Sequence, residues 1–462
     1  MLTYNFLKNK VPLYEQLYEY IRNDIVSGTI SAHEKLPSRR TFAANNGISV
    51  ITVQNAYDRL ISEGYVYSRP GRGYYAAEIP ETAFPGTDTA AAPLPEEEDK
   101  HLIDFSDNRT RPENFPFSVW AKLSREVLST KERELTEISP AGGVEPLRRA
   151  VARHLKSFRG MSVDPDRVVV GAGSEYLYGV LFRLLGADKT YCTENPGYKK
   201  LERIYALHNI SRVWADMDDK GISAEELRRT GAEVAHITPN HHFPTGITMP
   251  AGRRYELLAW ANEVEGRYII EDDYDSEFRT SGKPMPTLSG IDGCGKVVYM
   301  NTFSKSLTPT IRIGYMVLPA TLANRFRRDF SGFSCTVSNF EQYTLAEFIS
   351  RGYFEKHINR TRSYYSKLRE SLIRYIGENH GDVCRVTGND SGLHFLIELA
   401  TSLSDDEVRR RAEDRGIRIK SLSDYDFGGG GGDSHRFLIN YSRVDEDTAR
   451  NALRELFARI RE

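Results

Sequence analysis

The pattern of apolar and polar positions divides the chain into a short helical part and a longer part that alternates strands and helices. Residues 11–77 predict three helices followed by a hairpin of two strands. In the first helix, apolar side chains recur at helical spacing from Leu13 onward until Gly28 ends it. Ser38 and Ser49 are placed to cap the second and third helices, because a serine hydroxyl accepts a hydrogen bond from a first-turn backbone N–H.

The third helix and the hairpin after it complete a helix-turn-helix pattern with a β wing. The third helix has an apolar stripe and a polar outer face, and a turn containing Gly47 separates it from the second. In such proteins the second helix of the pair enters the major groove, while nearby arginines hold phosphates. The segment YVYSRPGRGYYAA predicts a strand, a turn and a strand. The candidate DNA contacts are Ser38, Arg39, Arg40, Ser49, Thr52, Gln54, Asn55, Arg69 and Arg72.

Beyond a predicted linker at residues 78–101, the pattern changes to alternating strands and helices. The linker is rich in proline, alanine and acidic residues and has no sustained periodicity. After it, apolar β-branched runs alternate with helical patterns, which predicts a mainly parallel α/β sheet over about 102–340. The runs lie at residues 167–170, 190–192, 234–238, 268–271 and 296–300. A long amphipathic helix from about residue 339 then leads into a small α+β part over about 341–462.

Charge and cysteine content narrow the class of protein. The 462 residues include 62 Lys and Arg against 64 Asp and Glu, a net charge of −2, so the overall charge does not indicate nucleic acid. Residues 1–77, the head, instead hold nine basic against six acidic residues, which permits DNA binding; a small helical dimerisation module is the alternative. The four cysteines have no paired spacing, so a reducing cytoplasm is expected. Since no signal peptide and no run of about 18 apolar residues occurs, we expect no membrane span.

Residues 301–319, NTFSKSLTPTIRIGYMVLP, combine a lysine, hydroxyls and an arginine between two apolar runs. A lysine amine forms a Schiff base with an aldehyde, and hydroxyls and a guanidinium bind phosphate. Lys305 is therefore the candidate for holding a phosphorylated aldehyde, with Thr302, Ser304 and Arg312 around its phosphate. For a Ser-Lys pair taken alone, the alternative is a solvated lysine.

Two motifs before this stretch offer groups for a flat, phosphorylated ring. The strand, glycine turn and helix at residues 168–186 place backbone N–H groups near Gly173 and Ser174, where a helix start binds phosphate. Such glycines also serve turn geometry alone. Tyr198 follows a predicted strand in a tight turn and can stack on a heterocycle or pack as a surface tyrosine.

Two further motifs carry acids and an arginine. In YIIEDDYDSEF, residues 268–278, Asp272 can pair with a pyridinium nitrogen and Tyr274 with a ring hydroxyl. Acids at strand ends also bind metals or cap helices, but His241 and His242 are too isolated to indicate zinc. Arg436 opens a strand and can bind a carboxylate with its guanidinium, or form a surface ion pair.

Residues 11–77 resemble the GntR-type winged helix over nearly its full length. The resemblance rests on PLYEQL, LPSRR, TVQNAYDRL and EGYVYSRPGRG. It implies a winged helix-turn-helix, mainly α with a β wing, that binds double-stranded operator DNA. Family members often carry an arginine after the serine that opens the recognition helix, whereas Val50 stands there in this chain.

Residues 102–462, the body, resemble fold-type I aminotransferases, which bind pyridoxal 5′-phosphate. The motifs that carry the resemblance are EDDYDSEF, TFSKSLTPTIRIGY and HFPTG. It implies that Lys305 forms the Schiff base, that Asp272 contacts ring atom N1 and that Tyr274 contacts O3′. It also implies that Tyr198 is the stacking ring. The implied phosphate ligands are Gly173, Ser174, Thr302, Ser304 and Arg312. Arg436 is the implied ligand of a substrate carboxylate.

Three places depart from the aminotransferase pattern, and the first is residues 135–138, which lack the tyrosine often found before the Pro-x-Gly turn. Phe243 stands where aminotransferases commonly have an asparagine that contacts the ring. Lys200 stands where an amino-acid-sensing relative has an arginine for the substrate carboxylate, so it is a second candidate for an effector carboxylate. Substrate choice and catalytic competence are therefore less well defined by the sequence than cofactor binding.

A GntR-type head joined by a linker to an aminotransferase-like body is the plan of the MocR subfamily of bacterial transcription regulators, and the chain is identified as a member. The resemblance implies a cytoplasmic head-to-tail homodimer in which pyridoxal 5′-phosphate, with or without an amino acid or other amino compound, changes operator binding. No metal is implied. Two alternatives remain: a catalytically active aminotransferase with a fused DNA-binding head, and a regulator that senses the cofactor alone.

Overall fold

The computed structural model describes residues 2–7, 11–79, 103–106, 110–279, 285–388, 392–429 and 432–461. The chain divides into two units, Met1–Glu97 and Glu98–Glu462. The predicted linker at residues 78–101 lies almost entirely outside the described residues.

Three helices and three short strands make up the described part of the first unit. They are α1 (Leu13–Val26), β1 (Lys35–Leu36), α2 (Arg39–Asn46), α3 (Val50–Ser62), β2 (Val66–Arg69) and β3 (Gly73–Ala76). Ser38 caps α2, its Oγ accepting from Thr41 N at 3.2 Å, and Ser49 caps α3, its Oγ accepting from Thr52 N at 3.0 Å. Gly47 between them has a left-handed φ of 63°, which glycine adopts without steric cost.

The head therefore has the predicted winged helix-turn-helix fold. The strands form a sheet in the order β1-β3-β2, so the predicted hairpin gains a third strand. Its core brings the three helices together through side chains such as Leu17, Phe42 and Tyr57, all fully buried. Leu13, predicted to belong to the apolar stripe of α1, is instead 43 % exposed because it lies at the first position of the helix.

The second unit is built on a large mixed sheet with helices packed against it. Its strands are β4 (Ile103–Asp104), β5 (Val168–Gly171), β6 (Tyr191–Asn195), β7 (Arg212–Asp218), β8 (Gly221–Ile222), β9 (Val234–Ile237), β10 (Tyr268–Asp272), β11 (Val297–Thr302), β12 (Gly314–Val317), β13 (Cys384–Thr387), β14 (His394–Leu399), β15 (Ile417–Arg418), β16 (Lys420–Ser421) and β17 (Arg436–Asn440). The large sheet has the order β5-β12-β11-β10-β9-β6-β7-β8. Its central strands pair in parallel, and β12 is antiparallel to both neighbours.

The helices of this unit cover the sheet and connect its strands. They are α4 (Phe117–Thr130), α5 (Glu132–Thr136), α6 (Glu145–Arg159), α7 (Ser174–Leu185), α8 (Lys199–Leu207), α9 (Ala224–Arg229), α10 (Ala251–Glu263), α11 (Leu288–Ile291), α12 (Phe303–Ser306), α13 (Ala320–Asp329), α14 (Asn339–Ser350), α15 (Tyr353–His380), α16 (Asp405–Glu413) and α17 (Glu446–Arg461). The long helix predicted from about residue 339 is two helices, because Gly352 at the start of α15 has a left-handed φ of 75°.

A second, antiparallel sheet forms the core of the smaller part, in the order β13-β14-β17-β16. Helices α15, α16 and α17 pack against it. The parallel strands of the large sheet end at a common edge, so Asp272 at the end of β10 and Thr302 at the end of β11 lie near one another. The start of α7 reaches the same edge, because Thr302 pairs with Gly314, and Gly314 pairs with Gly171. That edge holds the candidate site.

Candidate functional site

A cavity of about 950 Å³ opens at the carboxyl edge of the large sheet. Its walls come from the ends of β6, β10 and β11, the starts of α7 and α8, and the segment after β16 in the smaller part. The sequence-predicted residues that line it are Ser174, Tyr198, Lys200, Asp272, Tyr274, Thr302, Ser304, Lys305 and Arg312. The fold thus brings together motifs that are separated by more than a hundred residues in the chain.

The start of α7 and Arg312 form one corner of the cavity. Gly173 precedes the helix with a φ of 83°, and no side chain of the described residues caps the first-turn N–H groups. A Cβ atom at Gly173 would lie 2.6 Å from Nη2 of Arg312, so the guanidinium lies directly against the glycine. Uncapped helix N–H groups beside an arginine make a site for a phosphate.

Hydroxyl groups from the end of β11 complete that corner. Ser304 N donates to Thr302 Oγ1 at 3.1 Å, and Thr302 Oγ1 donates to Ser304 Oγ at 3.0 Å. Both side chains line the cavity with Lys305, which is half-buried on the short helix α12. The lysine amine therefore shares a cavity with three side-chain groups that can bind phosphate.

Asp272 lies at the end of β10, where it accepts a hydrogen bond from Tyr178 and lies near His236, two residues that the sequence did not single out. Tyr178 Oη donates to Asp272 Oδ2 at 2.6 Å. His236 Nε2 lies 3.7 Å from the same oxygen, and His236 Nδ1 is 3.0 Å from Tyr205 Oη. Burial and the Asp272 carboxylate raise the pKa of Tyr178, so its hydroxyl remains a donor.

Tyr274 follows β10 and faces the cavity beside a buried histidine. Its Oη is 3.3 Å from His241 Nδ1, and that nitrogen is 2.8 Å from Asp275 Oδ2. Burial raises the pKa of the Tyr274 hydroxyl, with the charge of Asp275 as the next cause. The residue thus presents a protonated hydroxyl to the cavity, as a contact to a ring hydroxyl requires.

Aromatic rings line the side of the cavity nearest the smaller part of the second unit. Tyr198 is 46 % exposed, and its ring meets that of Phe243 edge to face at 5.9 Å. Phe243 also meets Tyr425 edge to face at 5.2 Å. Phe427 lies beside Gly197, where a Cβ atom would be 2.9 Å from Phe427 Cε2. Phe243, which replaces an expected asparagine, therefore belongs to an aromatic wall.

The Asn195 side chain hydrogen-bonds a segment of the smaller part that lines the cavity. Its side-chain nitrogen donates to Asp216 Oδ1 and to Asp426 Oδ1, both at 2.8 Å. Its Oδ1 accepts from Phe427 N at 2.9 Å. One buried amide thus fixes the segment that carries Tyr425 and Phe427 against the end of β6.

The two predicted carboxylate ligands are placed differently. Lys200 lines the cavity and forms an ion pair with Glu175, which also lies 3.5 Å from Arg312 Nη2. These contacts lower the pKa of Glu175, chiefly through the hydrogen bond from Lys200. Arg436 does not line the cavity: it is exposed at the start of β17, opposite Glu398 in the ladder. The effector role predicted for Arg436 is therefore corrected, because that strand brings Leu438 rather than the arginine into contact with Phe243 and Tyr425.

Two buried glutamates near the site keep protons near neutral pH. Burial raises the pKa of Glu194 to about 7, although Oε2 accepts from Thr238 N at 2.8 Å. Burial, followed by the charge of Asp273, raises the pKa of Glu277 to about 8. Asp273 itself forms a buried ion pair with Arg159. Glu194 lines the cavity, and Glu277 accepts a hydrogen bond at 3.2 Å from Asn301, which also lines it.

The predicted DNA contacts lie on one helix pair and its wing. Arg40, Gln54 and Asn55 are exposed, and Arg39 is half-buried with its guanidinium 5.8 Å from the Tyr74 ring centroid. Arg69 and Arg72 are exposed at the wing, where the Arg69 guanidinium lies over two tyrosine rings. Within the described residues, none of the four arginines forms an ion pair, so their charges are available to phosphates.

The predicted serines in this surface have a structural role. The hydroxyls of Ser38 and Ser49 accept backbone hydrogen bonds as helix caps, and each is also within hydrogen-bond distance of a threonine hydroxyl. Val50, which replaces an expected arginine, is 43 % exposed, and Ile51 is 70 % exposed. The first turn of α3 thus presents apolar as well as polar groups.

The residues that sequence reasoning missed fall into two groups. Tyr178 lies four residues after Ser174 on the predicted helix α7, so helical spacing from the predicted phosphate turn could have found it. In the smaller part of the second unit, Tyr425 is the last residue of a short 3-10 helix, Leu422–Tyr425, and Phe427 follows two residues later; neither belongs to a periodic pattern in the sequence. Only the folded chain places them at the cavity.

The residues present fit pyridoxal 5′-phosphate in size and chemistry. A Cβ atom at Gly173 would fill the corner that a phosphate needs, next to Arg312, Thr302 and Ser304. Asp272 offers a carboxylate oxygen to the same cavity, and Lys305 offers an amine. Over the described ranges no group of three histidine, cysteine or acidic residues could hold a metal ion. Nor is any described helix both long and apolar enough to cross a membrane.

Comparison with known families identifies both units. The family described as bacterial regulatory proteins, gntR family, matches residues 13–75. The family described as aminotransferase class I and II matches residues 100–456, more than half of the chain.

Individual relatives match nearly the whole chain. It is 36 % identical over 419 residues to the uncharacterized HTH-type transcriptional regulator YdeL of Bacillus subtilis (strain 168), covering 89 % of each chain. It is 31 % identical over 466 residues to the probable rhizopine catabolism regulatory protein MocR of Rhizobium meliloti, covering 97 % of this chain and 94 % of that one. Among solved structures, a multiple substrate aminotransferase from Thermococcus profundus is 26 % identical with a TM-score of 0.69, covering 79 % of this chain and 92 % of the other.

Proposed function

Because the chain belongs to the MocR subfamily of GntR-type transcriptional regulators, with a DNA-binding head fused to an aminotransferase-like domain, we propose that it senses pyridoxal 5′-phosphate or an amino compound through Lys305. The observation that carries the proposal is the convergence of Lys305, Asp272 and the Gly173–Arg312 corner in one cavity. When bound, the cofactor supplies an aldehyde that reacts with amines and a ring that withdraws electrons.

The chain's own residues would divide the work of holding the cofactor. Arg312, Thr302, Ser304, Ser174 and the backbone near Gly173 would bind the phosphate. Asp272 would accept from the ring nitrogen and Tyr274 would donate to the ring hydroxyl. Tyr198 would cover the ring. Support comes from the shared cavity and from the protonated state of Tyr274.

The head would bind double-stranded operator DNA. The recognition helix α3 would enter the major groove with Thr52, Gln54 and Asn55 toward base edges. Arg39, Arg40, Arg69 and Arg72 would hold phosphates, which fixes position without reading sequence. Within the described part of the head, the ion pairs involve His33 and Arg59 rather than these four arginines, which supports this assignment.

An amino acid or related amine would be the effector, and two chains would act as a head-to-tail homodimer. The effector would enter beside the aromatic wall of Tyr198, Phe243 and Tyr425, with Lys200 at the cavity as a candidate for its carboxylate. A ligand changes operator affinity only as far as it binds one arrangement of the dimer more tightly than the other.

A working aminotransferase with a fused DNA-binding head is the alternative that the site geometry favours next. The set of Lys305, Asp272 and Tyr274 in one cavity is what such an enzyme uses. Sustained turnover of an amino donor with a 2-oxo acid would support the enzyme. A single half-reaction would not discriminate, because a sensor also reacts with an amine.

The cofactor assignment is tested by reconstitution with pyridoxal 5′-phosphate. We expect a visible absorption band that Lys305→Ala removes, because Lys305 is the amine that follows Thr302 and Ser304 at the proposed phosphate site. Lys199→Ala is the matched control, since Lys199 also lines the cavity but donates to the backbone of Asp426. A band that persists in the Lys305→Ala variant would place the covalent bond elsewhere.

A further inference from the structure

The carboxylate of Asp272 is held through one of its two oxygens. Tyr178 Oη donates to Oδ2 at 2.6 Å, and the nearest described histidine nitrogen, His236 Nε2, is 3.7 Å from that same oxygen. Among the described residues, none forms a hydrogen bond with Oδ1. Since Asp272 lines the cavity, Oδ1 is the oxygen left for a group bound there.

Tyr178 is itself fixed in place. Its side chain is 4 % exposed in the core beneath α7, and its ring lies 5.1 Å from that of His236. Burial and the neighbouring carboxylate raise the pKa of its hydroxyl, so it donates over the whole physiological pH range. A buried donor that keeps its proton at physiological pH is suited to hold an anion in one orientation.

We propose that Tyr178 is a positioning residue that fixes Asp272 so that Oδ1 faces the ring nitrogen of the bound cofactor. The inference rests on the proposed pyridoxal 5′-phosphate site. Without the tyrosine hydroxyl, the carboxylate is free to rotate about its terminal bond, and the two oxygens become equivalent. The Asp272 carboxylate must then be ordered when the cofactor binds, and this entropic cost lowers the affinity for pyridoxal 5′-phosphate.

The test uses Tyr178→Phe in the full chain, with Tyr191→Phe as the matched control. Tyr191 is equally buried in the same core, but its hydroxyl donates to the backbone of Gly186, away from the cavity. Pyridoxal 5′-phosphate affinity is measured by titration of the apoprotein, and the bound cofactor's absorption is followed against pH. We expect Tyr178→Phe to weaken affinity about tenfold, the usual cost of losing a charge-assisted contact, and to move the midpoint of the pH titration. Tyr191→Phe should leave both unchanged.

A double-mutant cycle separates positioning from general damage. In an Asp272→Ala background, Tyr178→Phe should have no further effect on affinity or on the midpoint. The proposal is overturned if Tyr178→Phe behaves like the unmodified chain, or if its effect persists undiminished after Asp272→Ala. If the unmodified chain shows no cofactor band, the proposed function fails, and this inference with it.

A second, independent observation concerns the head. The first turn of α3 exposes two apolar side chains, Val50 at 43 % and Ile51 at 70 %, between the polar residues Ser49 and Thr52. The first residues of a recognition helix meet base edges in the major groove. The apolar group on those edges is the C5-methyl of thymine.

We infer that, when the head binds DNA as proposed, the Ile51 side chain contacts the C5-methyl group of a thymine and so distinguishes thymine from the other bases. Duplexes enriched by the full chain from a random pool provide the probe, and each thymine in them is replaced in turn by deoxyuridine, which lacks only that methyl. At one or more positions we expect the replacement to weaken binding about fourfold, the factor for burying one methyl-sized group. Ile51→Ala should bind both versions alike at those positions.

Leu13→Ala is the matched control, because Leu13 is an exposed apolar residue of the same unit outside the helix pair. It should keep the sensitivity to deoxyuridine. The inference is overturned if no thymine replacement weakens binding, or if Ile51→Ala keeps the same sensitivity as the unmodified chain. Failure to enrich any duplex would instead refute DNA binding by the head.

Discussion

The guanidinium of Arg312 lies against Gly173 so closely that a Cβ atom at residue 173 would be 2.6 Å from Nη2. Arg312 adopts a left-handed backbone with a φ of 48°, which brings its side chain back toward the start of α7. Gly173 likewise has a positive φ of 83°. This corner of the cavity, where we propose that the phosphate binds, therefore depends on one residue without a side chain and one in an unusual backbone conformation.

Gly173→Ala should displace Arg312 and weaken pyridoxal 5′-phosphate binding by at least about tenfold, since a bidentate phosphate contact is lost. Affinity is measured by titrating the apoprotein with the cofactor. The matched control is Gly160→Ala, because Gly160 also has a positive φ, 68°, but no atom of the described residues lies within 4 Å of its added Cβ. Gly160→Ala should lose about 1–2 kcal/mol of stability because its backbone is left-handed. Gly173→Ala should lose about 1–3 kcal/mol because its φ of 83° and ψ of 171° are almost exclusive to glycine, but only Gly173→Ala should lose cofactor affinity. Equal affinities in the two variants would contradict a phosphate site at this corner.

Glu277→Gln should flatten the pH dependence of stability. Burial raises the pKa of Glu277 to about 8 from an ordinary 4.5, so the folded chain keeps a proton that the unfolded chain loses between those values. The protonated Glu277 carboxyl therefore contributes fully to the free energy of unfolding below pH 4.5. This contribution falls as the pH rises to 8, by up to about 1.4 kcal/mol for each pH unit. Glutamine resembles the protonated acid and does not titrate, so the variant should be similar to the unmodified chain at low pH and more stable at pH 9.

Urea unfolding midpoints measured from pH 5 to 9 check this expectation. Glu132→Gln, at an exposed residue of α5, serves as the control and should leave the profile unchanged. Parallel profiles for Glu277→Gln and the unmodified chain would show that Glu277 is ionised throughout.

Arg39→Ala and Arg72→Ala should each weaken binding to all duplexes alike and lower the slope of affinity against salt by about 1. The reason is that each guanidinium neutralises one phosphate without contacting a base. The control is Arg59→Ala on the recognition helix itself, because Arg59 already pairs with Glu63 at 2.9 Å and lies 4.1 Å from the Tyr18 ring centroid. Affinity for specific and random duplexes is measured from low to moderate salt. A loss confined to one sequence would mean that the arginine reads a base.

The features that could be predicted from the sequence are those that depend on residues close together in the chain. Ser38 and Ser49 cap the helices that they were expected to cap, because capping depends on residues only three apart. The strands ending at Asp272 and Thr302 were found because both are continuous apolar runs. Strand β7 was missed because RVWADMD mixes polar and apolar residues at the sheet edge.

The rest depends on contacts between distant parts of the chain. The hydrogen bond from Tyr178 to Asp272 joins residues 94 positions apart, and no local period records it. Arg436 was predicted as a carboxylate ligand because of its charge, but charge does not show which residue of a strand lies at the cavity. In the folded chain Leu438, two residues later, is the one that contacts Phe243 and Tyr425. Phe427 is held at the cavity by contacts with distant residues, such as the hydrogen bond from its backbone N–H to Asn195 Oδ1.

The central claim is that cofactor or amine bound at Lys305 changes operator binding. The most direct measurement is operator affinity of the full chain, titrated with pyridoxal 5′-phosphate alone and then with a panel of amino acids, for the unmodified chain and for Lys305→Ala. We expect at least one ligand to change the affinity of the unmodified chain several-fold and to leave Lys305→Ala unchanged. A response to cofactor alone, with no addition from amino acids, would identify a cofactor sensor. Equal operator affinity with and without every ligand in the unmodified chain would contradict the account.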